Sequence, residues 1–417
     1  MCKRLLLIAG LFPFLCFAQM GDMNKSGMYL MNMASGTSMN PDAWSMPMIM
    51  KSADAWSLMF MGEAFVVDTQ QSGPRGGDKW YSPNAFMFSA SHDLAGGSFM
   101  LQSMLSLEPL TITDRRYPLL FQTGETAYGR PLTDAQHPHN FIMSLGVHYA
   151  HAIGEGTILQ FYYAPVGDPA LGPVAYPHRA SAAELPQATL GHHWQDSTHI
   201  AGNVATVAIK RSWFRLEASG FNGTEPGENR WRIPWGQMNS FSGRLSISPS
   251  INWTMQVSAG RLTHPEQQAP GDVTRTTASI HYSRPVGGGE SWSSSLIWGR
   301  NHDTFTGRNL NSYLLESVYP FLGRNFLTAR IEYVDKDELF ADTPSLEEQL
   351  DRTAGSTFRI GAYTAGYTRD IGIFRTIETG IGANVSLYTL PATIKPYYGD
   401  RPWGVSLFLR FRLRPGR

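Results

Sequence analysis

Cysteine is almost missing from this chain. Cys2 and Cys16 are the only two in 417 residues, and both fall within the first eighteen. Those eighteen read as a targeting segment: Lys3 and Arg4 are basic, Leu5 to Leu15 is apolar, and Cys16-Phe17-Ala18 fits a small-x-small cleavage site. The expected mature chain begins at Gln19 without a thiol, which excludes thiolate metal sites, cysteine nucleophiles and disulfides. Long apolar runs are missing as well. No later stretch approaches the roughly 20 apolar residues of a membrane helix. Charge of one sign is also lacking: 34 Lys and Arg balance 34 Asp and Glu, so nothing points to nucleic acid.

What is present is alternation. The last strand, Trp403 to Leu413, places Val405, Leu407, Leu409, Phe411 and Leu413 on one face and Ser406, Arg410 and Arg412 on the other, with Phe408 among the polar set. Phe141–Ala152, Ile251–Leu262 and Thr376–Tyr388 repeat the pattern. From Ala55 onward sixteen candidate strands can be counted, with fourteen or eighteen as alternatives. A soluble sandwich shows the same period, so the connections decide. Seven short turns alternate strictly with eight long loops, one of the short turns being read at Arg369–Gly372. That is the plan of an outer-membrane barrel, with periplasmic turns, extracellular loops and lipid around the wall. The expected fold is all-β: a transmembrane antiparallel up-and-down β-barrel of about 16 strands. The divisions are 1–18 signal peptide, 19–52 Met-rich flexible periplasmic segment and 53–417 barrel. Sixteen-stranded porins are commonly trimers, and nothing in the sequence marks a subunit interface.

A barrel this wide holds an aqueous channel unless loops fill it. Its inferred lumen face carries Arg215, Arg244, Arg275, Glu378, Arg410 and Arg412, along with Glu217 and Glu332. These charges either pair to brace the wall or select a solute.

Two loops of 33 residues each, 108–140 and 166–198, are long enough to suggest function. His137 and His139 stand in the first, as HPHN. His192, His193 and Asp196 stand in the second and His199 just beyond it, as GHHWQDSTH; His178 is also there, and His148 follows on the polar face of a strand. Imidazole and carboxylate groups of this kind bind Zn²⁺, Cu²⁺ or Ni²⁺. The alternative is that they hydrogen-bond the loops onto the barrel mouth. Residues 19–52 pose a similar choice. Nine methionines lie between Met20 and Met50, among them Met46, Met48 and Met50. Thioether sulfur suits Cu(I) or Ag(I), whereas a flexible apolar plug inside the barrel would use the same residues as gap fillers. No enzyme is expected. The His-x-Ser-Asn-Gly type of run of outer-membrane phospholipases does not occur, and Asp196-Ser197-Thr198-His199 offers residue types without a facing pair. About 35 residues ahead of the barrel are too few for the plug domain of a TonB-dependent transporter.

Several loop segments carry a resemblance: 106–118 (SLEPLTITDRRYP), 121–131 (FQTGETAYGRP), 167–181 (GDPALGPVAYPHRAS), 191–199 and 217–231 (EASGFNGTEPGENRW), with Gly36-Thr37-Ser38 in the Met-rich start. Together they resemble a group of Gram-negative outer-membrane β-barrel proteins with a Met-rich N-terminus, associated with heavy-metal and above all copper surroundings. The group has no assigned activity, so no residue role carries over. The resemblance implies an outer-membrane barrel with a periplasmic N-terminus. The leading expectation is a porin-like barrel that passes or binds a small solute, with copper or another soft or borderline metal ion first and Cu or Zn as its only ion. The alternative is a closed structural or adhesive barrel whose long loops bind partners outside the cell.

Overall fold

The computed structural model describes residues 25–266, 270–354 and 357–414. The targeting segment, Met20 and Met23 lie outside them. Sixteen antiparallel strands form a closed barrel. The first barrel strand, Trp56–Gln71, pairs with the last, Trp403–Leu413, with Glu63 opposite Arg412 and Gln71 opposite Gly404. Two short strands extend this seam. Ile49–Ala53 folds back on the start of the first strand, and Asp78–Tyr81 lies along its far end.

The burial sense separates a membrane barrel from a soluble sandwich. On the last strand Leu407 is 55% exposed and Leu409 38%, whereas Ser406 is 4% and Arg410 0% exposed. Apolar residues face outward and polar ones face inward, as lipid and a polar interior demand. Aromatic rings ring the short-turn end: Trp253, Tyr282, Trp292 and Tyr319 follow one another on neighbouring strands, with ring centroids 4.6, 5.4 and 6.0 Å apart. Amphipathic rings favour such an interfacial level. Among the described residues no helix is long and apolar enough to cross a membrane.

Most turn positions follow the alternation; Arg369–Gly372 does not. The strand there runs Phe358–Phe374 and turns at Arg375, which takes φ 58°. Gly372 marks a register shift between Asp370 and Gly372 rather than a turn. Ile251 likewise sits in a turn, ahead of the strand Trp253–Leu262.

The lumen is filled. Residues 25–48 do not lie free on the periplasmic side. The helix Lys25–Met31 and the residues after it are mostly buried against the inner wall. Gly36 passes so close to the third long loop that a Cβ would stand 2.3 Å from Asp168 O, and its φ is +49°. Next to it, the Thr37 carbonyl accepts from Arg215, and Thr37 Oγ1 accepts from Arg244 at 2.9 Å. The physical reason is that an apolar helix of seven residues gains nothing in water, and gains burial against an apolar patch of wall. The third long loop, 168–200, is buried through nearly its whole length. At the outer end, Leu119 to Phe121 of the second loop pack with Phe340 and Tyr398 of the last two loops.

Candidate functional site

Two of the loops meet as their histidines suggested, but inside the barrel rather than at its rim. The helix Glu108–Thr111 places Glu108 below His139, whose Nδ1 lies 3.0 Å from the carboxylate and whose backbone N–H donates to it at 2.7 Å. The short helix His192–Gln195 brings His192 Nδ1 to 2.6 Å from Asp196 Oδ1. His199 Nδ1 sits 2.9 Å from the Asp196 carbonyl. Each Nδ1 sits at an acceptor; Nε2 of His199 is left without a partner, whereas that of His139 lies 3.4 Å from the Tyr176 hydroxyl. Carboxylate anchoring of this kind orients metal-bound imidazoles. The ring centroids of His139–His199, His192–His199 and His192–His193 are 5.4, 5.3 and 5.3 Å apart, and His137 lies 5.7 Å from His193. All five rings are buried.

Burial first, then the neighbouring rings, holds His137 and His199 well below the usual imidazole range. Burial lowers His192 too, with Asp196 opposing. Burial would raise Asp196, but His192 and Arg179 outweigh it and hold it below the usual carboxylate range. Neutral imidazole is the form that ligates metal, and burial favours it for His137, His192 and His199. His178 stands apart, pushed down by burial to about 3. Ser197 Oγ accepts from Arg275 while His199 uses its Nδ1 on Asp196, so the two are not paired as nucleophile and base.

The five rings form a chain of neighbours rather than one ligand set. Among the described residues, the groups whose donor atoms converge within 4.8 Å are His193–Glu225–Glu266 and Glu290–Asp370–Glu378. The second group is already neutralised, because Arg410 pairs with Asp370 and Glu378 and Arg414 with Glu290 and Glu378. The first opens onto a cavity of about 260 Å³ lined by six glutamates, Glu125, Glu225, Glu228, Glu266, Glu338 and Glu347. Sequence reading missed Glu225 and Glu266, each a single acid in a polar loop.

Below the rings lies a methionine patch. Met59, Met87, Met100, Met104 and Met143 of the wall are buried against Met31 and Met33 of the inserted segment, and Met48 and Met50 pack at its edge. Met46 is outside it. The Met and His groups adjoin through Ile200, which belongs to the patch and follows His199. The wall methionines were readable as apolar residues on a strand face that should be polar, a signal the alternation count passed over. His148 pairs in register with Met100 and leaves Nε2 without a partner.

Most of the lumen charges form ion pairs. Glu217 accepts from Arg244 at 2.8 Å and lies 3.1 Å from Arg215. Arg410 and Arg412 both hold Glu184 of the third loop, and Arg412 also holds Glu63. Arg275 donates to the His193 carbonyl at 2.6 Å. Glu316 accepts from Arg179 at 2.6 Å and from Arg330 at 2.9 Å. Glu332 accepts from the Gly191 N–H at 3.3 Å.

No family model matches the chain, and neither does any curated protein. Solved structures do. The fold is similar to OmpF of Salmonella typhi (TM-score 0.51, 10% identity, 87% of this chain and 100% of that one). It is similar to the outer membrane channel DcaP of Acinetobacter baumannii (0.50, 8%, 87% and 99%) and to OprB of Pseudomonas putida (0.50, 11%, 86% and 94%). At these identities the likeness shows the fold: a porin-like outer-membrane β-barrel.

Proposed function

We propose that this chain is a porin-like barrel of the bacterial outer membrane, its N-terminus on the periplasmic side, that takes a small cationic solute at its outer mouth. A soft or borderline metal ion is the solute, with copper first. One observation carries the reading. Imidazoles from two loops, those of His139, His192 and His199 anchored at Nδ1, run from an acidic mouth to a lumen wall of methionine sulfur. The order carboxylate, imidazole, thioether grades from hard to soft donors, as the passage of a metal ion inward would use. The resident protein needs no other cofactor. Trimeric assembly, usual for barrels of this size, belongs to the same proposal.

The filled lumen favours a second reading, a closed scaffold whose loops bind partners outside the cell. Exposed Trp231, Trp235 and Phe305 on the outer loops suit such contacts. Single-channel conductance of the refolded barrel in a planar bilayer, with and without copper, separates the two. Open steps blocked by micromolar copper, with the block lost on His139→Ala/His199→Ala, uphold the metal reading. A silent, correctly folded barrel that binds no copper overturns it and leaves the scaffold.

A further inference from the structure

We infer that His193, Glu225 and Glu266 hold one divalent transition-metal ion at the floor of the acidic mouth, where the third, fourth and fifth long loops meet. The inference rests on the metal reading above and deepens it by naming a site and an ion class.

Three observations carry it. The first is convergence: one donor atom from each residue lies within 4.8 Å of the others. Ligands about 2.1 Å from a tetrahedral ion stand roughly 3.4 Å apart, so a small closure of the side chains supplies three ligands and leaves the fourth position to water. The second is a pair of buried groups without partners. Neither ring nitrogen of His193 has a hydrogen bond, although the ring is buried. Its Nδ1 lies 3.4 Å from Glu225 Oε1, within ionic reach but out of alignment for a bond, and Glu225 Oε2 is also unpartnered. A buried polar atom left unpaired calls for an ion or a water. The third is charge. Among the described residues neither Glu266 nor Glu338 has an ion-pair partner, and the two lie together on the wall of a smaller cavity that also reaches His193. A bound dication would be the counter-charge that these neighbouring carboxylates lack.

The loops are built for this placement. Gly124 of the second loop has φ +110°, and a Cβ there would stand 2.6 Å from His193 Cε1 and 2.7 Å from Nε2. Glycine therefore lets the imidazole lie flat on backbone. Arg275 holds the His193 carbonyl from the wall at 2.6 Å and so fixes the backbone that carries the ring. One imidazole with two carboxylates suits a borderline dication such as Zn²⁺, Cu²⁺ or Ni²⁺ rather than soft Cu(I), which the methionine patch would prefer.

The test is calorimetric titration of the refolded full chain in detergent micelles with Zn²⁺, with zinc-edge absorption reading the ligand atoms. The expected result is one saturable site with mixed nitrogen and oxygen ligation. Affinity should fall at least tenfold in Glu225→Gln/Glu266→Gln, since even outer-shell changes cost 10–100-fold. It should also fall in Gly124→Ala and stay unchanged in His151→Ala, which lies beside a short turn at the far end of the barrel. The glutamine pair keeps shape and removes charge, so it folds where a histidine truncation does not. Equal affinity in wild type and the glutamine pair overturns this site. If copper block persists in that case, the metal reading stands without it. No zinc binding and no copper block overturns both.

Discussion

The inner wall of this barrel holds its two inserted segments in two different ways. Over the first four strands the wall is methionine, and the segment 25–48 lies on it chiefly through dispersion and burial, with Arg215 and Arg244 holding it at Thr37. Over the remaining arc the wall is arginine, glutamate and serine, and the loop 168–200 is clamped by ion pairs such as Arg179–Glu316–Arg330 and Glu184–Arg410. Methionine is unbranched and polarizable, so it tolerates displacement of what it touches. A buried ion pair does not, because each broken partner is left charged in a dry interior. The loop is therefore the fixed part and the N-terminal segment the exchangeable one.

That contrast can be broken most severely at Glu316, which is fully buried and bonds Arg179, Arg330 and Ser181. Glu316→Ala should cost about 3–5 kcal/mol in urea unfolding from micelles. Hydrogen exchange should rise over 168–200 and not over 25–48. Met100→Ala or Met104→Ala should reverse the pattern. Each is expected to cost roughly 2–3 kcal/mol as a buried methionine truncation, freeing 25–48 and leaving the loop protected. Equal exchange in both segments for either variant would show that the two are one cooperative unit.

Acidification should act on the loops and not on the segment 25–48. His137 and His199 have depressed values in the fold, so their contribution is complete above the unfolded value near 6.5 and is lost as pH falls through it. Between pH 7 and pH 5 the loss is about 1–2 kcal/mol per ring, read as faster exchange of 108–140 for His137 and of 168–200 for His199. Glu266 and Glu338 work the other way in the same window, since raised carboxylates favour the fold as pH falls. Their effect should appear in the outer loops that carry them. The mildest change is Met100→Leu, which conserves volume and should cost under about 1.5 kcal/mol. Glu316→Gln, equally conservative in shape, should cost clearly more.

Much of the wall was legible because lipid and lumen impose a period of two and turns punctuate it. The strand Trp403–Leu413 and its alternation were readable directly. Arg375 was not, because a turn carried by an arginine at positive φ leaves no Gly, Pro or Asn signal. The loop histidines were recognisable as a group, yet their place inside the barrel depends on Arg179, Glu184 and Glu316, which are far apart in the chain. Glu225 and Glu266 read as ordinary solvated acids, since only the meeting of three loops brings them to His193. The lumen side of the first four strands was obscured for a different reason. Methionine on the inner face, with Phe and Leu on the outer one, looks like a strand buried on both sides, and its use as a seat for residues 25–48 has no local pattern.

The seam also sets an order in time. The strand that closes the barrel is the last one synthesised, and it pairs with the first across hundreds of residues, as Glu63 with Arg412. Contacts so distant in sequence form late, because loop closure must come first. The segment 25–48 is joined directly to that first strand, so it travels with the open edge. Its methionine seat includes Met59 of that strand, so the segment rests beside the edge that the closing strand must meet.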